Sequence, residues 1–95
     1  MNVESMSMAI MYAKRCGEVV YYVYKFKKPY FGVSVTHRNG DTAIISDFSP
    51  TLMEAVSFVE YIFQSCIQPV QLKAAAQEYR ALQSCFRGIP PDQHF

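Results

Sequence analysis

Cysteine and histidine are the residue types in this chain that could supply a nucleophile, a redox centre or a metal ligand. The sequence has three cysteines and two histidines. A cysteine nucleophile needs a base within hydrogen-bonding reach, and neither histidine, His37 or His94, is placed beside a cysteine by the predicted elements. No group of these side chains has the short spacing of a metal site or of a disulfide framework. The sequence therefore predicts no catalytic site, no metal and no cofactor.

Each cysteine has a structural interpretation beside a reactive one. Cys66 lies on the apolar stripe of a predicted helix, where cysteine usually packs as a small hydrophobic residue. Cys16 follows Lys14 and Arg15, whose positive charge favours the reactive thiolate form and a redox role. Cys85 lies near a predicted helix end, with no basic group held beside it. Three cysteines, an odd number without paired short spacing, favour a reducing cytoplasm.

The acidic residues form no pair suited to general acid–base catalysis. Glu54 and Glu60 lie on one predicted helix at a spacing that puts them on different faces. Asp41 and Asp47 belong to a turn and to a strand end. The four glycines include no phosphate-binding loop. We therefore expect a protein that is not an enzyme.

Length and composition predict one folded domain. The chain has 95 residues, of which 51% are hydrophobic and 18% are charged, unlike a disordered segment. The net charge of +1 gives no strong attraction to nucleic acid or to a membrane surface. The apolar run over 6–13 is too short to span a bilayer, and its basic residues follow it, which is the wrong order for a secretory signal. We expect a single domain over 1–88, a C-terminal tail over 89–95 and a cytoplasmic location.

The first half of the chain alternates with the period of a β-strand. Residues 18–26 are rich in valine and tyrosine and predict a strand most strongly. Residues 4–14 alternate as well and predict a first strand, with a short helix as the alternative. The sequence Lys27-Lys28-Pro29 ends the second strand, because proline supplies no ladder donor.

A hairpin is predicted at Asn39-Gly40, the pair typical of a two-residue type I′ turn. That turn would pair Val35 with Ile44. The core face would then consist of Phe31, Val33, Val35, Ile44 and Phe48. The opposite face would consist of Ser34, Thr36, Ala43 and Ile45.

The second half of the chain has helical periodicity. Ser49-Pro50 predicts a helix start, and Thr51 with Glu54 offers an alternative capping box one step later. The apolar stripe of this helix comprises Leu52, Ala55, Val56, Val59, Ile62, Phe63 and Cys66. Gln68-Pro69 ends it and opens a second helix, whose stripe comprises Leu72, Ala75, Ala76, Tyr79 and Leu82.

These elements predict an α+β fold. Strands followed by helices give a four-stranded antiparallel meander, or three strands without the first, with two C-terminal helices packed on one face.

Several segments carry a family resemblance. They are Tyr30-Phe31-Gly32-Val33-Ser34-Val35, Phe48-Ser49-Pro50, Pro69-Val70-Gln71-Leu72 and Glu78-Tyr79. In these the chain resembles a family of short uncharacterised bacterial proteins, known mainly from Gram-positive anaerobes and built as strands followed by two helices. The resemblance covers residues 12–82 and implies the same fold. It implies no activity.

The sheet face that the helices leave uncovered is the candidate functional surface. Either of two sets must face outward: Val20, Tyr22, Tyr24, Phe26 and Tyr30, or Val19, Tyr21 and Val23. Tyrosine combines a polar tip with a large apolar body and is enriched at protein interfaces. Basic residues interleave with the tyrosines at the strand ends. The predicted interaction surface consists of Tyr22, Tyr24, Tyr30, Lys25, Lys27, Lys28, His37 and Arg38.

This surface predicts a protein–protein interaction module, acting as a regulator or adaptor and able to self-associate. The first alternative is an inhibitor carried by a phage or mobile element, which small size and a single domain allow. The second is a single-stranded nucleic-acid binder, in which bases stack on tyrosines and phosphates meet lysines. No membrane contact and no small-molecule substrate are predicted.

Overall fold

Four strands precede two helices in the structure, a computed structural model that describes residues 9–25 and 29–87. The strands are β1 (Ala9–Cys16), β2 (Val19–Lys25), β3 (Phe31–His37) and β4 (Thr42–Ser49). The helices are α1 (Leu52–Gln64) and α2 (Leu72–Arg87), which a 3₁₀ turn over Pro69–Gln71 precedes. The strands pair antiparallel in chain order. The predicted α+β meander with two C-terminal helices is therefore confirmed.

The bounds of the first strand and of the tail are only partly covered. β1 begins at Ala9, so the N-terminal part of the strand predicted over 4–14 lies outside the described residues. The tail predicted over 89–95 lies outside them as well. No helix within the described part of the chain is long and apolar enough to cross a membrane.

The loop between β3 and β4 differs from the predicted turn. A type I′ turn needs a positive φ at both central residues, but of Asn39 and Gly40 only Gly40 has one, at 105°. The loop has three residues, 38–40. It closes where the amide of His37 donates to the carbonyl of Asp41 and the amide of Gly40 donates to the carbonyl of His37, each at 2.8 Å.

The longer loop reverses which side chains of β4 face the helices. Val35 pairs with Ala43, whereas a two-residue turn would have paired it with Ile44. Ala43 and Ile45 therefore pack against the core, and Ile44 lies on the other side of the sheet, 55% exposed. The prediction of Ile44 as a core residue is wrong for this reason. A second register shift nearer the end of β4 returns Phe48 to the core as predicted.

The core lies between one side of the sheet and the helices. The strands contribute Val19, Tyr21, Val23, Val33, Val35 and Phe48, and the helices contribute Ala55, Phe58, Val59, Ile62, Leu72, Ala75, Ala76 and Tyr79. Phe58, absent from the predicted stripe of α1, is fully buried and stacks on Phe48 with ring centroids 4.6 Å apart. The ring of Tyr79 lies 5.2 Å from that of Phe58 and joins α2 to the cluster. Leu82, predicted on the stripe of α2, is 45% exposed.

Capping residues set where both helices begin. Thr51 is the N-cap of α1, and its hydroxyl accepts from the amide of Glu54 at 3.3 Å. The later of the two predicted helix starts is therefore correct. Before α2, the side chain of Gln71 accepts from the amide of Gln68 at 2.8 Å. Pro69 occupies the first position of the 3₁₀ turn, as predicted.

Cys16 and Cys66 form a disulfide, although their positions are 50 residues apart. Their Cα atoms are 5.8 Å apart, because the meander places the end of β1 beside the end of α1. Cys66 follows α1 with a φ of 48°, in the left-handed conformation that often ends a helix. Its amide donates to the carbonyl of Phe63, and the amide of Ile67 donates to that of Ile62. The predictions of unpaired cysteines and of Cys66 on the helix stripe are therefore wrong.

Candidate interaction surface

The side of the sheet away from the helices, here called the open face, is built from alternate residues of all four strands. Its central row runs from Ala13 through Tyr22 and Ser34 to Ile44. Of the two sets that the sequence left open, the one containing Val20, Tyr22 and Tyr24 faces outward. Val19, Tyr21 and Val23 are buried in the core. Phe26 lies outside the described residues.

A groove of about 440 Å³ crosses the open face. It is lined by Ile10, Tyr22, Tyr24, Ser34, Thr36, Thr42, Ile44 and Ser46. Ile10 on β1 and Ile44 on β4 are 56% and 55% exposed, so apolar surface meets solvent at both edges of the sheet. Within the described chain, no charged side chain lines this groove. Apolar walls with a few hydroxyl groups are typical of surfaces that bind proteins or apolar ligands.

Tyr24 forms a buried part of this surface. Only 4% of the residue is exposed, although it lies on the open face. It pairs with Gly32 across the β2–β3 ladder, and a Cβ atom at Gly32 would lie 2.5 Å from the tip of the Tyr24 ring. Burial raises the pKa of the Tyr24 phenol, and the nearby Asp47 carboxylate raises it further. Tyr24 therefore shapes the groove and offers little accessible area itself.

Several predicted surface residues lie at one end of the sheet. Lys25 is the last residue of β2, and its Nζ lies 5.4 Å from the centre of the Phe31 ring. Tyr30 precedes β3 and is 41% exposed. Lys27 and Lys28 lie outside the described residues.

His37 and Arg38 lie at the opposite end, beside the turns. Glu18 faces both of them: the distances are 3.4 Å to Nη1 of Arg38 and 3.8 Å to Nε2 of His37. Nδ1 of His37 also accepts a hydrogen bond from the amide of Asn39 at 3.0 Å. A smaller groove of about 230 Å³ at this end shares Tyr22 and Thr36 with the larger one. Of the predicted cationic residues that the structure describes, Lys25 therefore lies at one end of the sheet and His37 and Arg38 at the other.

A cluster of Tyr12, Lys14 and Glu60 links β1 to α1 on the other side of the sheet. The Tyr12 hydroxyl donates to the Glu60 carboxylate, and the Lys14 ammonium donates to both of its oxygens at 2.9 Å. These bonds, that of Tyr12 first, lower the pKa of the Glu60 carboxyl. The bonds to Glu60 raise the pKa of the Tyr12 phenol and of the Lys14 ammonium. Both donors therefore keep their protons at neutral pH, and the cluster contains no free base.

Sequence reasoning missed the two most exposed apolar residues of the groove. Ile44 was assigned to the core because the loop was taken one residue too short. Ile10 alternates with Tyr12 in the sequence, but a bulge between them puts Ile10 on the open face while Tyr12 packs against the core. No local sequence signal marks that bulge.

Comparison with known proteins adds no family to this picture. Among the described residues, no group of three or more histidine, cysteine or acidic side chains could hold a metal ion. Comparisons with protein-family models, with characterised proteins and with solved structures find no match. The resemblance to short bacterial proteins, and the bacterial origin it implies, therefore stay predictions.

Proposed function

We propose that the protein is a non-enzymatic protein–protein interaction module, a small regulator or adaptor that binds through the open face. The observation that supports this function is the groove of about 440 Å³ with exposed isoleucines at both sides. An apolar surface of this kind on a small domain is typical of an interaction site. A second copy of this chain is the partner we propose first.

The size of the open face indicates how strong this association is. Four strands spaced about 4.8 Å apart and about seven residues long give a face of roughly 450 Å². A standard stable interface buries about 800 Å² on each partner. The uncharged lining of the groove allows two copies to meet without like-charge repulsion at its centre. We therefore expect a weak, reversible dimer.

Light scattering after size exclusion, over a range of protein concentrations, tests this proposal. The wild type is expected to shift from monomer to dimer as its concentration rises. Ile44→Glu should remain a folded monomer, because dimerisation would bury the charge of the glutamate in the interface. Val70→Glu is the matched control, since Val70 is 90% exposed on the 3₁₀ turn in the helix layer.

Two results would contradict self-association through the open face, and either would leave this face free for a different protein partner. One is a wild type that stays monomeric up to about 1 mM, the range of the weakest specific complexes. The other is an Ile44→Glu variant that dimerises as well as the wild type. Circular dichroism of both variants separates loss of association from loss of fold.

The cytoplasmic location stays a prediction with its own test, and the Cys16–Cys66 disulfide counts against it, because such bonds persist mainly in oxidising compartments. In a reducing cytoplasm the Cys16–Cys66 bond would be held as two thiols. Alkylation of the protein during lysis, followed by mass spectrometry, should find both thiols modified. An intact disulfide in freshly lysed cells would contradict this location.

The alternative functions stay predictions. Binding to single-stranded nucleic acid gains no support from the described cations, because Arg38 faces Glu18 and Lys25 lies at the other end of β2. An inhibitor carried by a phage or mobile element would use the same open face.

A further inference from the structure

We propose that the outer edge of β4 binds an extended acidic segment of another protein. The segment would add to the sheet as a fifth strand and place its carboxylates beside Lys73 and Arg80 of α2. This surface differs from the groove of the open face, so the inference does not rest on the proposed function.

The backbone of the first half of β4 is available on its outer side. Among the described residues, β4 pairs with β3 and with no other strand. The amide of His37 is bonded to the carbonyl of Asp41, and residues of an antiparallel ladder alternate between inward and outward bonding. Thr42 and Ile44 therefore direct their backbone donors and acceptors away from β3. Such a row is a template for an added strand.

A third groove runs between this edge and α2. It has a volume of about 200 Å³ and is lined by Ile45 of β4 and by Lys73, Ala76, Gln77 and Arg80 of α2. An added strand would direct every other side chain toward the helix layer. Those side chains would enter this groove, with Ile45 and Ala76 as its apolar floor.

The charges of this groove favour an acidic occupant. Lys73 and Arg80 line it, and no acidic side chain of the described residues does. Lys73 makes none of the ion pairs found in the described chain. The acids on neighbouring elements have other partners, since Glu54 accepts from Ser49 and Glu78 accepts from Tyr61. Asp47 of β4 itself is exposed and makes none of the ion pairs of the described chain, but it lies near Tyr24 of the open face and does not line this groove.

Arg80 is already held in place for such a contact. Its Nη2 donates to the carbonyl of Phe48 at 2.8 Å, and its guanidinium lies 4.8 Å from the centre of the Phe48 ring. A fixed guanidinium loses less conformational entropy when it binds a carboxylate. Lys73 lies two helical turns away, about 10 Å along α2. Carboxylates at alternate strand positions, about 7 Å apart, can reach both cations.

The other free edge of the sheet lacks these features. Both edge strands carry a register shift, β1 between Ile10 and Tyr12 and β4 between Ile45 and Ser49, so this feature does not distinguish them. The edges differ in charge, because Lys14 of β1 is neutralised by Glu60. The groove and its cations therefore favour β4 as the edge that accepts an acidic partner.

Fluorescence anisotropy with synthetic peptides tests this inference. The probe is a labelled peptide of about eight residues with alternating glutamate and valine. Its controls are the lysine–valine counterpart and a glutamate–valine peptide whose edge-facing amides are N-methylated. We expect the first peptide alone to bind saturably and more weakly as salt rises.

Protein variants locate the site. Lys73→Glu should weaken binding of the acidic peptide by about tenfold or more, because it replaces attraction by repulsion. Arg15→Glu, the matched control, changes the net charge equally on the opposite edge strand and should bind as the wild type does. Neither variant alters a residue of the groove on the open face.

Three results with the peptides would overturn the inference. They are no binding of the acidic peptide up to about 1 mM, equal binding by the N-methylated peptide, and unchanged affinity of Lys73→Glu. A thymidine oligonucleotide would also overturn the inference, in favour of a nucleic-acid site, if it bound more tightly than the peptide and Lys73→Glu abolished that binding. These outcomes are separate from the dimerisation test, which depends on Ile44.

Discussion

Tyr24 covers Gly32 across the β2–β3 pair, and this contact needs the space that glycine leaves. A Cβ atom at Gly32 would lie within 3 Å of two ring carbons and the hydroxyl oxygen of Tyr24. The ring could escape only by leaving the surface on which it is now almost fully buried. At the scale of single residues, the shape of the open face therefore depends on Gly32 as much as on the tyrosines.

Gly32→Ala is expected to lower the free energy of unfolding by about 1–3 kcal/mol, the usual cost of overpacking. Urea denaturation measures this change in the free energy of unfolding. The same substitution in a Tyr24→Ala background should cost much less, because the ring that it meets is absent. An equal cost in both backgrounds would contradict the contact with Tyr24 as the cause.

At the scale of elements, local signals predicted most of the fold. Valine and tyrosine alternation found β2, and Thr51 with Glu54 marked the start of α1, because these interactions join residues a few positions apart. The loop over 38–40 was mispredicted because one more residue in a turn changes the face of a whole strand. The alternation of β2 narrowed its outward residues to two sets without choosing between them, and Ile44 was misassigned through that loop.

Contacts between elements could not be predicted from spacing. Glu60 accepts hydrogen bonds from Tyr12 and Lys14, which lie 48 and 46 residues earlier in the sequence. Phe58 is buried because β4 and α2 bring Phe48 and Tyr79 to it. The sequence contains these residues but no local pattern that pairs them.

The β1–α1 contact predicts a specific dependence of stability on pH. The pKa of Glu60 is lower in the folded chain than its ordinary value of 4.5. Its contribution to stability is therefore present above that value and is lost as the pH falls through the folded pKa. As the pH is lowered from about 7 to about 3, the free energy of unfolding should decrease less in Glu60→Gln than in the wild type. Urea denaturation at each pH measures this difference.

Tyr12→Phe checks the origin of this effect. The hydrogen bond from Tyr12 is the largest cause of the lowered pKa of Glu60, and that from Lys14 comes second. Removing the Tyr12 hydroxyl should therefore abolish part of the acid dependence. A Glu60→Gln variant with the same acid dependence as the wild type would contradict the assignment.

At the scale of the whole molecule, a covalent bond joins the end of β1 to the end of α1. The Cys16–Cys66 disulfide spans a sequence separation of 50 residues. This loop contains β2, β3, β4 and α1, so the bond encloses most of the sheet and the first helix. Such a bond stabilises a small domain mainly by restricting its unfolded chain.

Cys16→Ala is expected to lower the free energy of unfolding by about 4 kcal/mol, from the entropy of closing a loop of this length. Denaturation in urea, with and without dithiothreitol, measures this loss. The reductant should destabilise the wild type by a similar amount and leave Cys16→Ala unchanged. A wild type that is insensitive to the reductant would contradict a stabilising bond.

The strand order β1-β2-β3-β4 has a consequence for how the chain reaches its native state. Each strand pairs with its neighbour in sequence, so the sheet can assemble by successive hairpins with little loop entropy lost at each step. Docking of α1 on β1 joins the most distant segments and should come late. The rate of disulfide formation during refolding would therefore report the last stage of folding, after the hairpins have formed.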